Sequence, residues 1–115
     1  MNIIILIPVF NDFKSVTKLI EEIDINISEL KVTFSVIVVN DASTEEKILE
    51  TKNLNNIKSL KLINMRNNTG HTRCIAAGLK HISENEQFDY VIPMDGDGED
   101  RPEEIRNFLE KIKDN

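Results

Sequence analysis

The chain has 115 residues, 40% of them hydrophobic and 30% charged, which suits one compact domain with its own core and argues against disorder or a fibrous class. Twenty acidic against fourteen basic residues give a net charge of −6, which argues against a nucleic-acid-coating role, since phosphate binding needs a basic surface. It leaves room for a phosphate ligand bridged to carboxylates by a divalent cation.

The first apolar run, Asn2–Val9, lacks a basic leader and a small-residue cleavage site and is far short of the about 20 residues that span a bilayer. It reads as a buried strand. After it, Phe13, Val16, Leu19, Ile20, Ile23 and Ile27 recur at spacings of three and four, with Asn11 or Asp12 available as cap, which predicts an amphipathic helix. Thr33–Asn40 is a second strand, and a less regular helix is expected over Glu45–Leu54. Ser59–Met65 is the third strand, followed by a helix from about Thr72 to Ile82 in which Ile75, Ala76, Leu79 and Ile82 share a face. Tyr90–Met94 is the fourth strand, and the last helix starts after Pro102 and runs through Ile105, Phe108, Leu109 and Ile112. The single Cys74 cannot form an internal disulfide, so an oxidising compartment is not indicated and a cytoplasmic location is expected.

Strands alternating with helices predict an α/β fold: an open, mainly parallel sheet with helices on both faces, formed by residues 1–115 as one domain. Ligands bind such sheets at the carboxyl ends of the strands. Those ends carry four polar clusters: Pro8-Val9-Phe10-Asn11-Asp12, Asn40-Asp41-Ala42-Ser43-Thr44, Arg66 to Arg73, and Asp95-Gly96-Asp97-Gly98-Glu99-Asp100. Singly, each has a structural explanation. Asn11, Asp12, Asp41 and Ser43 are good caps and turn formers, Gly70 supplies a permissive backbone, and His71 and Arg73 are ordinary loop residues unless an anion lies at the helix start.

The fourth cluster crowds four carboxylates into six residues, and the repulsion is relieved if a cation binds. In an extended segment Asp95, Asp97 and Glu99 fall on one side, a donor set suited to Mg²⁺ or Mn²⁺. A calcium loop of the EF-hand type fails: its sixth position would be Asp100 instead of Gly and its twelfth Arg106 instead of Glu, and Pro102 interrupts it.

In order and spacing the four clusters resemble the amino-terminal part of family 2 glycosyltransferases of the GT-A fold. Ile7-Pro8-Val9-Phe10-Asn11-Asp12 is similar to the family's Pro-x-Tyr-Asn-Glu, and Val38 to Thr44 to its Val-Asp-Asp-Gly-Ser-Thr. Asn68-Thr69-Gly70 through Gly78 is similar to its Asn-x-Gly segment, and Met94-Asp95-Gly96-Asp97 to its Asp-x-Asp. Gly98 to Ile105 is similar to the dolichol- and polyprenyl-phosphate sugar transferase branch.

The resemblance implies a Rossmann-like site for a UDP- or GDP-linked sugar, with Pro8, Phe10 and Asp12 beside base and ribose and Asp41 bonding the base. It also implies Arg73 near the nucleotide and a metal on Asp95, Asp97 and Glu99. It implies a lipid-phosphate or glycan acceptor and a general base in an acceptor-binding half beyond these residues, so self-association or a partner chain is expected to cover the missing half. Departures are Phe10 for Tyr, Asn40 for Asp and His71 where many members have Lys.

Three other readings compete with this one. A haloacid-dehalogenase phosphohydrolase carries its Asp-x-Asp after the first strand, not the fourth. A signalling receiver needs an acidic pair after the first strand, an Asp after the third and a Lys after a fifth; Asn11-Asp12 and Asn64 to Arg66 do not match. An inactive or split nucleotide-binding fragment shares the same ancestry and the same donor site.

Overall fold

The computed structural model describes residues 1–28, 30–44, 49, 54–95 and 103–113. Four strands, β1 (Asn2–Val9), β2 (Thr33–Asn40), β3 (Ile57–Asn64) and β4 (Tyr90–Pro93), form one parallel sheet in the order β3-β2-β1-β4. Three helices accompany them among the described residues: α1 (Phe13–Asn26), α2 (His71–Asn85) and α3 (Glu104–Lys113). This is the open α/β sheet expected from the alternation of patterns. The helix expected over Glu45–Leu54 falls mostly outside the described residues.

Each face of the sheet has its own core. On one, Ile3, Ile5 and Ile7 pack with Phe13, Val16, Ile20 and Ile23 of α1 and with Ile105 and Leu109 of α3. On the other, Ile4 and Leu6 meet Ile37, Val39, and Cys74 and Ile82 of α2. Alternate residues of β1 thus feed opposite cores, which is why the strand is apolar throughout. Full burial on both faces holds only for β1 and β2. β3 and β4 are edge strands with exposed positions such as Lys58, Lys61, Leu62 and Tyr90.

The two prolines of the sheet, Pro8 and Pro93, fit this layout. Met94 donates to the carbonyl of Leu6 and Asp41 to that of Val9, so the even residues of β1 face β4. Pro8 faces the same way but lies past the last β1–β4 pair, Leu6 with Pro93, so no ladder bond is lost. Pro93 points its missing donor out of the edge strand.

Close approach fixes α2 on its face. A Cβ at Gly78 would lie 2.5 Å from Leu6 Cδ1 and 3.1 Å from Val39 Cγ2, both on fully buried side chains. Gly78→Ala is therefore expected to lower stability by about 1 to 3 kcal/mol through overpacking, in spite of alanine's better helix propensity. Urea unfolding measures it, and a more stable Gly78→Ala protein would show that α2 can retreat freely.

Candidate functional site

β1, β2 and β3 follow one another in one direction across the sheet, and the chain then returns through α2 to place β4 on the far side of β1. The strand order reverses between β1 and β4. There α1 and α2 start on opposite faces and leave a crevice at the carboxyl ends, the place where open α/β sheets bind ligands.

Two small cavities open in this crevice. One, of about 140 Å³, is lined by Pro8, Val9, Phe10, Asp12, Val16, His71 and Asp95. The other, of about 80 Å³, is lined by Pro8, Val9, Phe10, Asp41, His71 and Cys74. Of the eight residues singled out from the sequence, Pro8, Phe10, Asp12, Asp41 and Asp95 are thus brought together. Larger hollows of about 410 and 230 Å³ lie toward the amino ends of the strands and contain none of the eight. Arg73 is exposed on the first turn of α2 and lines neither crevice cavity. Asp97 and Glu99 lie outside the described residues.

Phe10 is 49% exposed at the end of β1, an apolar ring with no core to fill. Asp12 begins α1, its Oδ1 accepting the Ser15 amide at 3.4 Å, so its cap role is real and its carboxylate still borders the cavity.

The loops behind the crevice are tied to each other. The Asn11 amide donates to Ser43 Oγ at 2.9 Å, and Asn11 Oδ1 accepts the Thr44 amide at 2.7 Å. Buried Asn40 accepts the Ser43 amide at 3.0 Å and donates to Asn64 Oδ1 at 2.9 Å, linking the ends of β2 and β3. Asn11 (φ 51°) and Ala42 (φ 56°) both adopt the left-handed region, tolerable for asparagine and strained for alanine. Gly70, at φ 94°, supplies the same freedom before α2.

Asp41 is the most constrained acid in the crevice, 4% exposed. Its Oδ1 accepts the Thr69 amide at 2.7 Å and its Oδ2 the Gly70 amide at 2.9 Å. Burial alone would push its carboxyl up, but hydrogen bonds from Thr69, Cys74 and Gly70 prevail and hold it below the ordinary 3.8. Cys74 shows the reverse: burial, then the bond to Asp41 and its charge, push the thiol up to about 11. Asp41 therefore anchors the loop that starts α2, a task the sequence did not reveal.

Asp95 is half-buried, and its Oδ1 lies 3.0 Å from His71 Nε2 across the crevice. An accessible carboxylate at this mouth suits a hard cation. Among the described residues no three His, Cys, Asp or Glu side chains gather into a metal-holding group.

Sequence reasoning also missed Asp24, at the opposite edge. It sits 5% exposed in the apolar stripe of α1, its carboxylate accepting the amides of Asn55 (3.0 Å), Asn56 (2.8 Å) and Ile57 (2.8 Å). An acid four residues after Ile20, on the buried face, was the available signal.

Comparison with known proteins agrees with this geometry. Residues 4–115 match the model of glycosyl transferase family 2. An uncharacterized glycosyltransferase of Synechocystis sp. is 28% identical over 113 residues, 96% of this chain and 34% of the relative. An uncharacterized protein of Methanocaldococcus jannaschii is also 28% identical, over 96% of this chain and 47% of its own. The chain thus spans between a third and a half of the length of these relatives. Among solved structures, S. aureus TarS (residues 1–349) in complex with UDP superposes with a TM-score of 0.75 at 23% identity, covering 99% of this chain and 32% of that one. No helix among the described residues is long and apolar enough to cross a membrane. With nearly its whole length matched by the family model, the chain belongs to glycosyl transferase family 2.

Proposed function

We propose that this chain binds the nucleotide-diphosphate part of an activated sugar in the β1–β4 crevice, with Mg²⁺ or Mn²⁺ held by Asp95, Asp97 and Glu99. The observation that carries this reading is the meeting of Pro8, Phe10, Asp12 and Asp95 around one cavity at the strand-order reversal. The UDP bound to the similar TarS structure supports a uridine or related nucleotide as ligand.

The exposed Phe10 ring and Pro8 offer an apolar surface to a base, and Asp12 borders the space a ribose would fill. Asp41 contributes by fixing the loop of Thr69 and Gly70, which leads directly into the crevice-lining His71. The carboxylates of Asp95, Asp97 and Glu99 would hold the cation, which would supply charge stabilisation to a nucleotide-diphosphate leaving group. Because the chain spans 34% and 47% of its curated relatives, sugar transfer to a polyprenyl-phosphate or glycan acceptor is proposed for a protein of that full length, with donor binding carried here.

Titration calorimetry with UDP and GDP tests this. One of them is expected to bind only when Mn²⁺ or Mg²⁺ is present, and Asp97→Ala to weaken that binding at least tenfold, about 1.4 kcal/mol. Binding of neither nucleotide, or binding indifferent to metal and to Asp97→Ala, would sink the proposal.

A further inference from the structure

The two edges of the sheet are protected very differently. β4 is four residues long and carries Pro93, whose missing donor faces outward, so it offers little for another strand to pair with. β3 runs for eight residues without a proline. Met65 donates to the carbonyl of Asn40, so Lys61 and Ile63 face β2, while Leu60, Leu62 and Asn64 direct their N–H and C=O groups out of the sheet. Among the described residues nothing bonds to those outward backbone groups.

Lysines commonly guard such an edge. Here Lys61 is drawn aside to Glu86, just past the end of α2, and its charge is matched there. Lys58 lies below the register shift at Phe34/Ser35, outside the run from Leu60 to Asn64. Leu62, 36% exposed, is the apolar side chain left at the middle of that run.

We propose that β3 pairs with β3 of a second copy of this chain, antiparallel about a two-fold axis at Leu62. The run complements itself: Leu62 meets its own counterpart, Leu60 lies opposite the other copy's Asn64, and each outward N–H finds an outward C=O. Lys61 then lies opposite Ile63 of the other copy, so no like charges face each other within the paired run. Two sheets merge into one. The crevice between β1 and β4 lies beyond β2 from this edge and stays open in the dimer.

Sedimentation equilibrium on the intact chain tests this. Edge pairing buries less than the about 1,200 Å² of a standard interface, so a weak dimer with a Kd of about 100 μM is expected. Leu62→Pro removes an outward N–H that the sheet of one copy does not use, and is expected to raise the Kd at least tenfold without unfolding the chain. Leu62→Lys leaves the backbone donor in place but sets two like charges at the axis, and the same tenfold loss is expected. Thermal melting checks that each variant folds, and Leu62→Lys decides the matter if proline unsettles the strand. A wild type that remains monomeric up to about 1 mM overturns the proposal. So does a Leu62→Lys protein that dimerises as tightly as the wild type, or association that continues past the dimer.

Discussion

Asp41→Ala is expected to lower stability by about 3 kcal/mol, a fall in Tm of roughly 10–20 °C for a domain of this size, and to weaken nucleotide binding at the same time. Removing the carboxylate leaves the Thr69 and Gly70 amides and the Cys74 thiol without their shared acceptor in a buried place. The loop that starts α2 loses its anchor, and His71 with it. Asp41→Asn keeps the shape but turns an acceptor toward a donor, so a smaller loss is expected. Either change removes the charge that helps raise Cys74, so its thiol is expected to titrate below the present value of about 11, read from thiolate absorbance against pH. An unchanged Cys74 titration with unchanged melting would show that Asp41 is not the anchor described.

The second large effect is expected at Asp24. Burial raises its carboxyl, yet the amides of Asn55, Asn56 and Ile57 outweigh that and hold it below the ordinary 3.8. Asp24→Ala strips three donors of one acceptor, and a loss of about 3 kcal/mol or more is expected on denaturant unfolding, with no change in nucleotide contacts. The pH dependence follows from the direction of the shifts. Asp24 and Asp41 are both depressed in the folded state, so their contributions are fully present above about 3.8 and are lost as pH falls through the lower folded values. Acid destabilisation below about pH 4 is expected for the wild type, and Asp24→Asn should flatten it. A variant as acid-sensitive as the wild type would overturn this assignment.

The elements dominated by local pattern were readable from the residues. Asn2–Val9 and Thr33–Asn40 form strands with the expected bounds, because a central strand covered on both faces must be apolar end to end. β3 begins at Ile57, two residues earlier than expected, because Asp24 across the fold captures the Asn55–Ile57 backbone, a contact no periodicity contains. α2 extends from His71 to Asn85, beyond its expected Thr72–Ile82, because the polar residues of its last turn make no apolar stripe to read.

The site was legible as positions and less so as roles. A parallel sheet obliges the strand ends to share one edge, so the company of Phe10, Asp12, Asp41 and Asp95 followed from topology. Which of these acids would face ligand and which would be consumed by loop amides depended on backbone turns. Asp41 and the His71–Asp95 contact belong to that second class, and Arg73 turned outward although its neighbours in sequence line the crevice.

Ala42 adds something different. The family pattern that Val38 to Thr44 resembles carries glycine here, and at φ 56° an alanine bears strain on the order of 1 kcal/mol. Asn40 and Ser43 hold the turn in spite of it, through bonds on either side. A methyl group also removes backbone freedom that glycine would keep in the unfolded chain. The turn therefore folds from a narrower unfolded ensemble than a glycine would give it, which offsets part of the strain that its left-handed backbone carries.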